Sequence, residues 1–272
     1  MDYIGEVGIG NARYDKPDGG HNAVKPWPWY LSWCGDIDIN GNKKPQLYYR
    51  DVVWSKSDLE ILVHTPIPEG KVELVTKWGW PDEFPHWNWQ GHENMPLPVN
   101  VYANFDTVRL LHNGQLIGEK AITREDNLTA TFTVHYQPGE LTAIGIRNGR
   151  EVIAKTLVTS GKPSTIRLVP EQSTVRANLN DLAYVQIEVL DENGRLIPDA
   201  EVNIQLFFDG PGKLIACGNA SPYDLKSFNN TNLKTFRGRA LAILQPGNDQ
   251  GVMTMTAKTE GMPDVNVNIR IE

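Results

Sequence analysis

The sequence predicts an all-β protein: two β-sandwiches in tandem, behind a short N-terminal piece that cannot fold by itself. Three observations predict this. From Leu59 onward apolar residues recur at every second position in short runs, the period of a half-buried strand. Turn residues interrupt those runs at intervals of about 8–12 residues, the spacing of sandwich strands. Two Asn-Gly pairs, Asn113-Gly114 and Asn148-Gly149, sit between such runs, where type I′ hairpins are expected.

The N-terminal piece, residues 1–54, differs from the rest of the chain. It has an apolar run from Tyr3 to Ile9, a loop rich in Gly, Asn, Asp and Pro, and one helical pattern. That pattern places Leu47, Arg50, Asp51 and Trp54 at helical spacing, with Pro45 suited to the first turn. One strand and one helix leave too much surface exposed to make a core. The piece therefore packs on the sandwich domains or belongs to something larger.

The first sandwich is expected over residues 56–160. Leu59, Ile61 and Val63 recur at every second position as a half-buried strand, and so do Val72, Leu74 and Thr76 after a Pro/Gly turn. A long loop, 79–98, then gathers prolines and tryptophans, and its length alone makes it a functional candidate. Strands resume at 98–103, 107–112, 115–121, 132–136, 141–147 and 151–158. Residues 159–164 read as a linker by composition. The second sandwich is expected over 161–272, with clear alternation at Val185 to Val189, Val202 to Phe208 and Val265 to Ile271. A long loop at 218–235 carries several asparagines.

With 272 residues, 40% hydrophobic and 22% charged, the composition is that of an ordinary folded protein of one to three domains. A net charge of −7 argues against a nucleic-acid partner. No apolar run reaches the roughly eighteen residues of a membrane span, so no membrane partner is expected. No basic and apolar leader is visible at Met1. The compartment stays open: periplasmic or extracellular if a parent protein is exported. Cys34 and Cys217 are far apart and are expected as free thiols.

The N-terminal piece resembles a known family. Asp2-Tyr3-Ile4-Gly5-Glu6 with Gly8-Ile9-Gly10, then Trp33-Cys34-Gly35-Asp36-Ile37-Asp38, Gly41, Lys44-Pro45, and Tyr49-Arg50 with Trp54 resemble the end of the catalytic barrel in bacterial glycoside hydrolase family 2, the β-galactosidase-like branch. The resemblance implies that residues 1–55 are a remnant of a TIM barrel, its last strand and helix. It implies that both sandwich domains behind it are immunoglobulin-like. In that family the two catalytic glutamates come from the fourth and seventh barrel strands. Both would lie before Met1, so the resemblance implies no catalytic residue here. The expected role is a non-catalytic C-terminal portion of an enzyme that hydrolyses O-glycosidic bonds, inactive alone, meeting carbohydrate through its parent.

Each candidate group has a plainer reading. Retaining glycosidases need two carboxyl groups about 5 Å apart. Asp2, Glu6, Asp36 and Asp38 are the carboxylates near the start, and each reads as solvated or hydrogen-bonded. Trp78, Trp80, Trp87 and Trp89 could form a carbohydrate platform, the alternative function of a binding module, whereas tryptophans more often pack. Trp27, Trp29 and Trp33 are expected against the barrel. No histidine or cysteine spacing fits a metal, and no phosphate or dinucleotide loop is present, so no cofactor or metal is expected. Without a barrel, Tyr3, Ile4, Val7 and Ile9 lose their burial and the strand keeps open edges. Residues 1–54 are then expected to be mobile, or to self-associate with a second copy.

Overall fold

The computed structural model describes residues 8–14, 27–75 and 79–272. The chain divides into two compact units, Met1–Thr159 and Ser160–Glu272. It is predominantly β, as tandem immunoglobulin-like sandwiches preceded by a short strand and helix. Among the described residues no helix is long and apolar enough to cross a membrane.

The first unit begins with β1 (Asn11–Tyr14) and α1 (Pro45–Val53). Next come β2 (Leu59–His64), β3 (Lys71–Leu74), β4 (Glu83–Phe84), β5 (Pro96–Ala103), β6 (Thr107–His112), β7 (Gln115–Ala121), β8 (Thr129–His135), β9 (Glu140–Arg147) and β10 (Arg150–Val158). One sheet runs β4-β2-β5-β8 and the other β10-β9-β6-β7. Their inward side chains meet in one core: Ile61 and Val63, Val99 and Val101, Phe132 and Val134, against Val108, Leu110 and Leu141. Both Asn-Gly hairpins form as the sequence predicts. Asn113 and Gly114 have φ of 49° and 76°, Asn148 and Gly149 of 51° and 72°. The strands close directly around them, His112 opposite Gln115 and Arg147 opposite Arg150.

Strand β2 departs from the expected half-buried pattern, because all six of its residues are buried. Alternation identifies the inner face correctly, but a second layer covers the outer one. Helix α1 lies there, and its Val52 clusters with Leu62 of β2 and Tyr102 of β5. The helix also does not use the face expected of it. Val52 and Asp51 are buried, while Trp54 at the helix end is 59% exposed. Nor does the described part of the N-terminal piece stand apart. Ile9, expected to lose its burial, is 4% exposed and forms a parallel bridge with Trp80. Strand β1, which carries no alternation to reveal it, pairs antiparallel with β3. Tyr3, Ile4 and Val7 lie outside the described residues, as do Asp2 and Glu6.

The second unit holds β11 (Thr165–Pro170), β12 (Thr174–Val175), β13 (Ala183–Leu190), β14 (Asn203–Asp209), β15 (Gly212–Gly218), β16 (Asn232–Lys234), β17 (Arg239–Pro246), β18 (Gly251–Lys258) and β19 (Val265–Ile271). The sheets are β11-β13-β17-β15 and β12-β19-β18-β14-β16. Val185, Ile187 and Leu244 from one sheet face Ile204, Met253, Met255 and Ile269 from the other. Three of these strands are not legible in the sequence, the first being the two-residue β12. β15 breaks its alternation at a bulge between Leu214 and Ala216. β16 is only three residues long and lies inside the asparagine-rich loop.

Candidate functional site

The densest polar chemistry of the first unit lies where the N-terminal piece meets the sheet. Glu83 is fully buried in the short edge strand β4. Its carboxyl is surrounded by donors. Trp80 Nε1–H reaches Oε1 at 2.7 Å, Asn100 Nδ2–H reaches Oε2 at 2.7 Å, and the Tyr102 hydroxyl donates to Oε1. The orientation of Asn100 is fixed because its Oδ1 accepts the Thr131 hydroxyl at 2.7 Å. Burial pushes the Glu83 carboxyl above its ordinary range, and the three donors oppose this without cancelling it. Burial also raises the Tyr102 phenol, with the Glu83 charge and hydrogen bond adding to the effect.

Beside this acid sits an ion pair. His64 Nε2 lies 2.7 Å from Glu73 Oε2, and its Nδ1 lies 2.8 Å from the Thr65 carbonyl. Both ring nitrogens face acceptors, so a doubly protonated ring satisfies both. Burial disfavours the charged ring, but the bonds to Glu73 and Thr65 outweigh it and raise His64. Burial likewise works against the Glu73 charge, and His64 with the Asp82 N–H outweighs it, so Glu73 is lowered.

These groups hold the N-terminal strand. Gly10 N–H donates to the Trp80 carbonyl at 2.5 Å, and Trp80 N–H to the Gly8 carbonyl at 2.9 Å. A side chain at Gly8 would place Cβ 2.6 Å from the Cys34 backbone, and one at Gly10 would run into the Glu73 carboxylate. Gly8 is therefore required by close approach of the chain.

The Trp33-to-Arg50 motif is a self-fastened clasp. Asp38 Oδ1 accepts the N–H groups of Asn40 and Asn42, each at 2.9 Å, and Gly41 takes φ of 82° between them. Lys44 is buried; its ammonium donates to the Cys34 carbonyl at 2.5 Å and the Trp33 carbonyl at 3.2 Å, and lies 5.0 Å from the Trp33 ring centroid. Gln46 donates to the Gly35 carbonyl, and Arg50 pairs with Asp36. Asp36 and Asp38, weighed as acid/base candidates, thus sit in structural bonds.

The four loop tryptophans do not share one environment. Trp78 lies outside the described residues. Trp80 is half-buried between Tyr49 and Tyr102, at centroid distances of 5.1 and 6.2 Å. Trp87 is 0% exposed, donates Nε1–H to the Gln137 carbonyl at 2.9 Å and packs edge-on against Tyr136. Trp89 is half-buried against His86, 4.5 Å between centroids. Trp33 is buried within the chain, whereas Trp27 is 71% exposed. Neither Cys34 nor Cys217 is in a disulfide, and burial pushes the Cys217 thiol up to about 11.

Sequence reasoning missed the Glu83, His64 and Glu73 cluster. A signal was present: Glu60 and His64 share the outward face of β2 with Leu62, an apolar residue that announces a covered face.

Comparison with known proteins decides the family. Residues 166–268 match the model of glycoside hydrolase family 2 C-terminal domain 5, and residues 94–153 match a domain of unknown function, DUF4982. The chain carries a C-terminal, all-β domain of glycoside hydrolase family 2. The chain is 31% identical over 246 residues to the β-galactosidase BoGH2A of Bacteroides ovatus, covering 90% of the chain and 26% of that protein. It is 27% identical to a putative β-glucuronidase of Formosa agariphila, covering 90% of the chain and 21% of that protein. It thus spans about a quarter of the length of these curated relatives. The crystal structure of a family 2 member from Bacteroides cellulosilyticus superposes with a TM-score of 0.85 at 31% identity, over 90% of this chain and 32% of that one. A β-glycosidase from Bacteroides vulgatus, at 24% identity and a TM-score of 0.74, shares the fold.

Proposed function

We propose that this chain is the non-catalytic C-terminal portion of a longer family 2 glycosidase of β-galactosidase type. Residues 1–55 would be the end of its catalytic barrel, and 56–160 and 161–272 its supporting sandwiches. The role is to fasten the barrel's last strand and helix to a rigid sandwich. One observation carries this reading: the polar residues of the N-terminal motif are engaged in holding that piece to itself and to the first sandwich. Asp36, Asp38, Lys44 and Gln46 close the clasp, and Val52 and the Gly8–Trp80 backbone pair dock it. The names of the curated relatives, a β-galactosidase and a putative β-glucuronidase, support the glycosidase parent.

Two measurements test the proposal. The chain alone, given 4-nitrophenyl β-galactoside or β-glucuronide, should show no turnover above buffer. Turnover that vanishes in Glu73→Gln would refute the non-catalytic role. Gly8→Val should undock the strand by collision with Cys34, so that limited proteolysis cuts the N-terminal piece faster. Unchanged proteolysis would remove the fastening role.

A further inference from the structure

We infer that the concave face around residues 219–236 of the second unit is a binding site for a neutral saccharide. The placement of aromatic residues points there first. The second unit's aromatic residues are Tyr184, Phe207, Phe208, Tyr223, Phe228 and Phe236, and none is buried. Isolated exposed apolar residues need no explanation. Here, however, Tyr223, Phe228 and Phe236 come from one stretch of chain, and Tyr223 and Phe236 line one concavity.

That concavity has a volume of about 250 Å³, just under the range of enclosed small-ligand sites, and it opens to solvent. Tyr223 is 49% exposed at its edge and stands perpendicular to Phe236, with centroids 6.1 Å apart and planes at 89°. A second hollow of about 340 Å³ shares Lys226 with it and extends along β14 and β18.

The floor is fixed by hydrogen bonds. Asn219, 6% exposed, donates to Asp224 Oδ2 at 2.8 Å and to the Lys234 carbonyl at 2.6 Å, and accepts the Ser221 N–H at 2.9 Å. Asp224 Oδ1 accepts the Lys226 N–H at 3.0 Å. Buried Thr235 accepts the Val202 N–H at 2.8 Å and donates to the Ala200 carbonyl at 2.9 Å. A preorganised floor lowers the ordering entropy that binding must overcome.

The charges select the ligand class. Glu201 and Asp224 line the hollow together with Lys226 and Lys234, so the formal charges balance. Lys234 is paired with Glu201, and Asp224 accepts the Asn219 amide. No unbalanced field draws a phosphate or a metal cation. A flat ring bordered by short donors and acceptors suits a ligand with an apolar face and hydroxyl edges, which describes a pyranose. The site lies in the second unit, so it stands whether or not the first unit fastens a barrel.

Affinity gel electrophoresis of the full chain tests this, with galactan, mannan, xylan and mixed-linkage glucan as neutral polymers and polygalacturonate as the anionic one. At least one neutral polymer should retard the chain and polygalacturonate should not. Tyr223→Ala should weaken the retardation about tenfold or more, the loss of one stacking contact. Lys226→Ala, at an exposed position, should weaken it with unchanged thermal stability. Trp89→Ala, in the first unit, should leave it unchanged. No retardation by any neutral polymer overturns the inference. So does retardation by polygalacturonate alone, or loss in Trp89→Ala with retention in Tyr223→Ala.

Discussion

The two units solve the same sandwich problem with different interiors. The first fills its core with rings: Trp87, Phe105, Phe132 and Tyr136 are all buried. It also buries Glu83 with its three donors, the His64–Glu73 pair and Glu60 on the face that carries the N-terminal piece. The second is lined almost wholly by Val, Ile, Leu, Ala and Met, with no buried ring and only Phe208 packed at its margin. The difference comes from what each sheet must cover. A sheet with one wet face needs only aliphatic side chains on the other. A sheet covered on both faces brings backbone and polar groups of the covering piece into the dry, and those need partners. Networks of that kind define a single arrangement, because a partly satisfied one is worse than none.

Truncating a buried ring should separate the units most. Trp87→Ala should destabilise the first unit by about 3–5 kcal/mol, with the Gln137 carbonyl also losing one of its two partners. Residue-resolved hydrogen exchange should show lost protection in β2, β5 and β8 and none in β13 and β17. Protection lost equally in both would break the comparison.

Isosteric replacements should sharpen it. In the aliphatic unit Met255→Leu should cost less than about 1.5 kcal/mol. In the first, Glu83→Gln keeps the shape but turns an amide N–H toward the donors of Asn100 or of Trp80 and Tyr102, and should cost about 1–3 kcal/mol. Urea midpoints give the answer, with Glu83→Gln followed by tryptophan fluorescence, since all eight tryptophans lie in the first unit, and Met255→Leu by residue-resolved hydrogen exchange in the second. Similar values would show that the network is no more demanding than packing.

The units should also differ in their response to pH. His64 is raised, so its contribution is full below its ordinary 6.5 and fades as pH climbs through the folded value. Glu73 is lowered, so its contribution is full above its ordinary 4.5 and fades as pH drops through the folded value. The pair therefore stabilises the first unit most between those two ordinary values. Raised Glu83 acts in the same direction as His64, losing its contribution as pH rises past 4.5 toward its folded value. In the second unit, lowered Asp191 loses its contribution only as pH falls below 3.8, and Cys217 shifts only near 11. As pH rises above 6.5 toward neutral and beyond, the first unit should lose stability and the second should not. His64→Asn should flatten the first; a slope that survives it would assign the effect elsewhere.

The smallest effect should be shared. Gly149 in the first unit and Gly194 in the second have φ of 72° and 74° with open space around the missing side chain. Replacing either with Ala should cost about 1 kcal/mol, the strain of a left-handed residue. Thermal midpoints of the two variants give the comparison. A large inequality between them would mean that turn chemistry, too, depends on the unit.

The sequence by itself determined the strands whose inner faces alternate, the two Asn-Gly hairpins and the Pro45 helix start. Each is a local matter: a period of two, a left-handed pair, a ring that presets φ. Its resemblance to family 2 glycosidases was likewise carried by residues near in sequence. Tertiary structure alone decided what happens on the second face of β2. Whether Glu60, Leu62 and His64 meet water or a helix depends on where residues 45–53 come to rest, and no local pattern states that. The same holds for Glu83, whose three donors come from Trp80, Asn100 and Tyr102, and for the hollow beside Tyr223, whose walls are drawn from Glu201, Asp224 and Lys234. Such sites form between segments distant in sequence, so they arise from the assembled packing rather than from the order of residues in any one stretch.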